Sequence, residues 1–172
     1  NNGWNVALTT LMNERAAIGG GSGGGDPLTR VYAMVRHYGL DRDPVVRNKL
    51  ADLVIRYRVA SYNNQRAMAK IRAGQTPGPE MSTGKMALTD NQLRLCAFLS
   101  EVLGPKVIAD TGEWGTYAWN QLILGTPGLR IAGGSDEVMR NIVGERVLGL
   151  PKDVGIDSKS AFRDLKVGTQ KG

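Results

Sequence analysis

The stretch Leu129–Pro151, LRIAGGSDEVMRNIVGERVLGLP, places two glycines, Gly133 and Gly134, directly before a helix. Ser135 is a favourable N-cap, and the two acidic residues after it suit the positive end of a helix dipole, so we predict a helix over Val138–Leu148. Glycine lets a ligand approach the main chain, and free N–H groups at a helix start favour an anion or a polarised carbonyl oxygen. The turn is therefore a candidate binding site, although ordinary helix entry produces the same pattern.

Composition narrows the classes of protein to which the chain can belong. The 172 residues suffice for one hydrophobic core. The net charge is +6, but only 6% of residues are aromatic and no basic run is interleaved with aromatics, which argues against nucleic-acid binding. One cysteine, Cys96, and one histidine, His37, offer neither an internal disulfide nor a metal centre.

Without a signal peptide or a membrane-spanning apolar run, we expect a cytoplasmic protein. Because the chain does not begin with methionine, we expect it to be the end of a longer polypeptide.

Apolar residues recur at three- and four-residue steps in four segments that precede the turn. These segments are Trp4–Ile18, Leu28–Tyr38, Val46–Ile71 and Leu95–Leu103. No segment alternates with the period of two that marks a strand. We therefore predict an all-α fold, an up-and-down four-helix bundle over residues 1–151, with a short extra terminal helix and a polar tail over 152–172.

The segments between the predicted helices carry turn and linker signals. Gly19–Gly25, GGGSGGG, resembles a flexible linker. Gln75–Leu88 contains two prolines and shows no periodicity, so we predict a loop that ends at a capping box starting with Thr89. The dipeptide Gly104-Pro105 then stops the helix that follows. Residues 107–128 have the least regular pattern, and we expect a short helix there.

Glu14 interrupts the first apolar stripe and projects along its edge, with Arg15 beside it. Two interpretations fit this position. One is a partly buried acid that pairs with an arginine. The other is a carboxylate that acts as a general base.

The whole string at the turn resembles a known family signature. Gly-Gly-Ser-Asp-Glu-Val, then Arg140-Asn141-Ile142, then Glu145 to Pro151, is similar to the terminal signature of acyl-CoA dehydrogenases, flavoenzymes that desaturate acyl-CoA thioesters. Leu11 to Arg15 also resembles the L-x-x-E-R form of the first helix of that family's C-terminal domain. The resemblance covers Gly3 to Pro151. It implies a four-helix bundle that completes a flavin site with an N-terminal helical domain and a middle β domain.

The resemblance also implies roles for particular residues. Most members carry the catalytic glutamate immediately before the glycine of the turn, where this chain has Gly133. Some members, such as the isovaleryl-CoA and long-chain types, carry it on the first helix of this domain, where Glu14 lies. The resemblance therefore implies Glu14 as the catalytic base. It implies substrate contacts from Arg15, Gly133 and Gly134, with the Gly133 N–H bonded to the thioester carbonyl.

The family's cofactor is FAD, and its contacts fall on two parts of this chain. At the turn they correspond to Ser135, Asp136 and Glu137. The second part is Leu103-Gly104, which resembles the family's L-G-G segment.

Two positions depart from the family's pattern of cofactor contacts. Pro105 replaces the second glycine of the L-G-G segment. The Arg-x-x-Phe-Gly element, which in the family reaches a neighbouring subunit's flavin, survives only as Arg36, Tyr38 and Gly39.

The resemblance implies an FAD-dependent acyl-CoA dehydrogenase with an acyl-CoA substrate and electron-transferring flavoprotein as its acceptor. Its assembly would be a homo-oligomer or a paired hetero-oligomer. The alternative is a non-catalytic subunit or assembly module of a paired dehydrogenase that lacks its own working flavin site. Neither nucleic acid nor membrane insertion is expected.

Overall fold

The computed structural model describes residues 2–19, 26–75, 78–79, 81–151 and 162–164, without the side chains of 12, 15–19 and 162. These residues form six α-helices, joined by turns and short 3₁₀ or π segments, and contain no strand. The helices are α1 (Gly3–Gly19), α2 (Pro27–His37), α3 (Pro44–Arg72), α4 (Met81–Leu103), α5 (Asn120–Leu129) and α6 (Asp136–Ile142). The all-α prediction is confirmed. The predicted linker falls almost entirely outside the described residues, as does the tail apart from 162–164.

Aspartate followed by proline begins two of the helices, as the sequence predicts. Asp43 accepts hydrogen bonds from the N–H groups of Val45 at 2.8 Å and Val46 at 3.0 Å, and Pro44 occupies the first helical position. Asp26 caps α2 in the same way. Helix α3 has 29 residues and is therefore about 44 Å long. In proteins, most of the stability of a helix comes from packing of its apolar face.

Helix α4 is the centre of the fold, because it contacts α1, α3, α5 and α6. The hydrophobic core lies where α4 packs against α2 and α3. Its buried members are Leu28, Val31, Met34, Val35, Leu53, Leu95, Phe98, Leu99, Leu103, Val107 and Trp119. Cys96 is also buried on α4, as its place in the apolar stripe predicts. None of the described helices is long and apolar enough to cross a membrane.

The predicted loop over Gln75–Leu88 is correct at Gln75 and residues 78–79, which are not helical, but wrong from Met81 onward, where α4 begins. The predicted capping box at Thr89 is also wrong, because Thr89 lies inside α4. The physical reason is that Ser82, Lys85 and Thr89 are buried polar residues on this part of the helix. A helical face made of polar side chains leaves no apolar periodicity. Its stability depends on partners distant in sequence.

The helix after the glycine turn is present but is not regular throughout. It begins at Asp136, runs as α-helix to Ile142, and continues as a π-helical turn over Val143–Val147. The Leu148 N–H accordingly donates to Val143 O at 3.0 Å. The short extra terminal helix is confirmed.

Candidate functional site

The glycine turn connects the end of α5 to the start of α6. Gly133 has a φ of +66° and Gly134 a φ of +107°, a region of backbone space that side chains with a Cβ rarely enter. The Ser135 hydroxyl accepts a hydrogen bond from the Val138 N–H at 3.4 Å and caps α6, as predicted. The two glycines are thus required by the backbone path of the turn.

Lys85 of α4 is completely buried beneath this turn. Its Nζ donates to Arg130 O at 2.8 Å, to Gly134 O at 2.9 Å and to Asp136 Oδ1 at 3.1 Å. An ammonium group has three N–H donors, and this one uses all of them. Lys85 therefore ties the end of α5, the turn and the start of α6 to the central helix.

Asp136 completes this buried group of polar contacts. Its Oδ2 accepts a hydrogen bond from Arg130 Nε at 2.6 Å, and its Oδ1 lies 3.3 Å from the Thr89 hydroxyl. Burial by itself raises the pKa of the Asp136 carboxyl, but the hydrogen bonds from Arg130 and Lys85 outweigh it and hold that pKa below its ordinary value. The side chain is therefore a carboxylate at neutral pH, turned inward against two cations.

Glu14 of α1 reaches the turn from the opposite end of the chain. Its Oε1 accepts a hydrogen bond from the Gly133 N–H at 3.1 Å, across 119 positions of sequence. Glu14 is exposed, whereas Gly133 is buried. The structure therefore brings together the carboxylate and the backbone donor that sequence reasoning singled out. The side chain of Arg15 lies outside the described residues.

The residues predicted to contact FAD are not brought together. Asp136 and its neighbours lie at the Lys85 end of α4, whereas Leu103 and Gly104 lie at the other end, about 27 Å away along the helix axis. Leu103 is a buried core residue, and Gly104 is exposed with a φ of +54°. The predicted contacts therefore form two separate groups, one at each end of α4.

A cluster of polar and aromatic side chains surrounds the second end. Lys106 Nζ lies 2.8 Å from Glu113 Oε2 and 4.4 Å from the centre of the Tyr38 ring. His37 is exposed at the end of α2, lies 3.7 Å from Glu113 and packs against Trp114. The contact of Lys106 with Tyr38 places the remnant of the Arg-x-x-Phe-Gly element beside the end of α4.

Sequence reasoning missed Lys85 because it fell in a predicted loop. The available signal was spacing, since Ser82, Lys85 and Thr89 follow one another at three- and four-residue steps and so share a helical face. The described surface also has two grooves along α3, but neither contains a predicted site residue. The turn and Glu14 remain the site with the clearest chemistry.

Comparisons with known proteins show the family of this chain. Residues 1–148 match the family model for the C-terminal domain of acyl-CoA dehydrogenases. Over 155 residues the chain is 28% identical to acyl-CoA dehydrogenase FadE34 of Mycobacterium tuberculosis, with 88% of this chain and 20% of that protein covered. Over 160 residues it is 29% identical to acyl-CoA dehydrogenase IpdE1 of the same organism, with 88% and 39% covered. The chain thus spans well under half the length of these curated relatives.

A solved structure shares the fold. It is a glycine-to-alanine variant of the Tcur3481-Tcur3483 steroid ACAD, with a TM-score of 0.72 and 23% identity, and the match covers 87% of this chain and 40% of that one. The matched family domain extends over most of the chain and includes both Glu14 and the glycine turn. The chain therefore belongs to the acyl-CoA dehydrogenase family and corresponds to its C-terminal domain.

Proposed function

We propose that this chain is the helical C-terminal part of an FAD-dependent acyl-CoA dehydrogenase that introduces an α,β double bond into an acyl-CoA thioester. Family membership supports the reaction class. One observation carries the assignment of the site, namely the 3.1 Å hydrogen bond between the Gly133 N–H and Glu14 Oε1. It joins a carboxylate, the group that can accept a proton, to a main-chain donor, the group that can bind a carbonyl oxygen.

In this proposal the Gly133 N–H leaves Glu14 Oε1 and binds the thioester carbonyl when the substrate is present, and the released Glu14 carboxylate removes a proton from the adjacent α-carbon. The α-carbon is bonded directly to the carbonyl carbon, so a carboxylate beside the carbonyl donor is also beside the proton to be removed. Hydrogen bonding to the carbonyl oxygen stabilises the negative charge that develops there as the proton leaves. Gly134 and Arg15 are proposed as further contacts with the substrate.

The described residues fit a flavin only in part. Ser135, Glu137 and Gly104 have atoms outside the core and are proposed as contacts. The Asp136 carboxylate is held by Lys85 and Arg130, so this side chain supports the turn and does not reach outward. A bound flavin would supply the acceptor for the hydride that leaves the β-carbon. We propose electron-transferring flavoprotein as the next electron carrier.

A second candidate function is a non-catalytic chain of a paired dehydrogenase. It is favoured by the position before Gly134, where most family members carry glutamate and this chain has Gly133. The departures at Pro105 and at the Arg-x-x-Phe-Gly remnant point the same way. In that case the contact of Glu14 with the turn would only stabilise the packing of α1, and acyl-CoA turnover would depend on the partner chain.

The test is Glu14→Gln in the complete protein, with Glu101→Gln as the matched control. Glu101 is exposed on α4 and pairs with Lys49, away from the turn. Glutamine keeps the shape of glutamate and most of its hydrogen bonding, so ligand binding is expected to be retained, whereas loss of a general base lowers the rate by about 10² to 10⁴.

Flavin bleaching is followed after mixing with straight-chain acyl-CoAs from four to sixteen carbons and with one steroid-derived acyl-CoA. The steroid ligand is included because the solved relative is a steroid ACAD. Slow bleaching in Glu14→Gln alone supports the proposal. If Glu14→Gln bleaches the flavin as fast as the unaltered protein does, Glu14 is not the base, and the non-catalytic chain becomes the favoured function.

A further inference from the structure

We propose that Lys85 is a positioning residue that holds the Gly133 N–H in the orientation required to bind the thioester carbonyl. The inference rests on the proposed function, which supplies that carbonyl. Lys85 has no exposed surface and cannot touch a substrate itself. Any effect on the reaction must therefore pass through the turn.

Two backbone acceptors of Lys85 lie on either side of Gly133 in the sequence. Arg130 O precedes the turn and Gly134 O follows Gly133 directly, and both bond to the same ammonium nitrogen, at 2.8 and 2.9 Å. The third donor is committed to Asp136 Oδ1 at 3.1 Å. With every donor used, the ammonium cannot turn toward another acceptor without losing one of these bonds.

The turn needs external support of this kind. Gly133 and Gly134 both adopt positive φ, and glycine passes easily between positive and negative φ, so the local sequence alone does not fix the peptide planes. Lys85 is anchored on α4, the helix at the centre of the fold, and offers a fixed point. Burying a charged ammonium is unfavourable unless it is fully hydrogen-bonded, and that condition in turn requires the backbone carbonyls to stay in place.

The substitutions are Lys85→Met, Lys85→Arg and the matched control Lys49→Met, each made in the complete protein. Lys49 is a partly exposed lysine on α3 that pairs with Glu101 and has no contact with the turn. Methionine retains most of the volume of lysine and removes its donors. Arginine retains a cation and donors, so it restores part of whatever Lys85→Met loses.

The first readout is hydrogen exchange of the peptide that carries Gly133, measured by mass spectrometry. Lys85→Met is expected to speed exchange there by about tenfold or more, while α3 stays protected as in the unaltered protein. Lys49→Met is expected to leave the turn unchanged. Equal exchange in Lys85→Met and the unaltered protein overturns the inference.

The second readout separates positioning from general stability. Two ligands of the same chain length are compared for each protein. One is the straight-chain acyl-CoA that binds the unaltered protein most tightly, and the other is the corresponding S-alkyl-CoA thioether, which lacks the carbonyl. Losing one hydrogen bond to the carbonyl lowers the preference for the thioester by about threefold to tenfold in Lys85→Met. A purely structural lysine would weaken both ligands equally, and a retained preference overturns the inference.

The two proposals fail in different ways. An unaltered protein that does not prefer the thioester contradicts the proposed function, and the positioning role with it, before any variant is measured. A preference that is present in the unaltered protein and survives in Lys85→Met contradicts the positioning role alone. If Lys85→Met does not fold, Lys85→Gln is measured in both assays, because a neutral amide with two N–H donors cannot hold Arg130 O, Gly134 O and Asp136 Oδ1 together. Unchanged exchange and unchanged preference in that variant overturn the inference.

Discussion

Asp136→Asn tests whether the buried ion cluster stabilises the turn. Asparagine keeps an oxygen that Lys85 can still reach, but its NH₂ group would face Arg130 Nε–H, donor against donor. Loss of the charge on this buried acceptor weakens its bonds to Lys85 and Arg130, and a hydrogen bond to a buried charged group contributes about 1.5–3 kcal/mol. We therefore expect the free energy of unfolding to fall by about 1.5–3 kcal/mol at pH 7.

The pH dependence makes this prediction specific to the carboxylate. The pKa of Asp136 in the folded protein lies below 3.8, its ordinary value, so its stabilisation is fully present above about pH 4. It is lost as the pH falls through the folded-state pKa, because the unfolded chain binds the proton more readily. The difference between the unaltered protein and Asp136→Asn should thus be constant from about pH 5 to 8 and shrink below about pH 4.

Urea denaturation followed by far-UV circular dichroism at acidic and neutral pH measures this difference. The matched control is Asp52→Asn, an exposed acid that pairs with Arg56 on the same helix at 2.7 Å, and it should cost less than about 0.5 kcal/mol. A cost below about 1 kcal/mol for Asp136→Asn at pH 7 would refute the reasoning. So would a cost that is undiminished in acid.

Three further predictions concern the helices around the site. The Tyr57 hydroxyl is buried without a hydrogen-bond partner among the described residues, and burial raises the pKa of Tyr57 to about 12. Tyr57→Phe should therefore raise the Tm. It should also abolish the fall in stability that ionisation of Tyr57 causes between pH 10, the ordinary pKa, and pH 12, the raised pKa; a lower Tm would contradict this prediction. Asp43→Ala should cost about 1 kcal/mol in urea denaturation because it removes the cap of α3, and no change would contradict it. The buried Cys96 thiol should react with a thiol reagent about tenfold or more slowly in the folded than in the unfolded protein, and equal rates would contradict its burial.

Much of the fold could be predicted because its signals are local. Helices α2 and α3 begin with an aspartate cap and a proline, and their apolar spacing continues to the observed ends. The start of α4 could not be predicted in the same way. Lys85 is stabilised there by acceptors 45 to 51 positions further along the chain, and no window of sequence contains both partners. The sequence shows that a lysine is present, but only the tertiary structure shows what neutralises it.

The candidate site could likewise be predicted from the sequence only in its local features. Residue type permits the positive φ values of Gly133 and Gly134, whereas the proximity of these residues to Glu14 is implied only by the family resemblance. The contact at 3.1 Å joins helices from opposite ends of the chain, and periodicity contains no information on such a distance. Asp136 was assigned from the resemblance as a flavin contact. The structure places its carboxylate against Lys85 and Arg130, contacts that depend on where α4 passes.

The separation of the two groups of predicted flavin contacts bears on how such a chain would assemble. The turn group and the Leu103-Gly104 group lie about 27 Å apart along α4, so one chain presents them at different ends of its bundle. In the family, the Arg-x-x-Phe-Gly element beside the second end serves a neighbouring subunit's flavin. The departures at Pro105 and in that element fall at this second end, whereas Gly133 replaces the family's usual glutamate at the first end. The features proposed for a chain's own reaction, Glu14 and the glycine turn, also lie at the first end. We therefore expect the changes at the second end to affect what the chain gives to a neighbour, while its own reaction depends on whether Glu14 replaces the glutamate that is missing at Gly133.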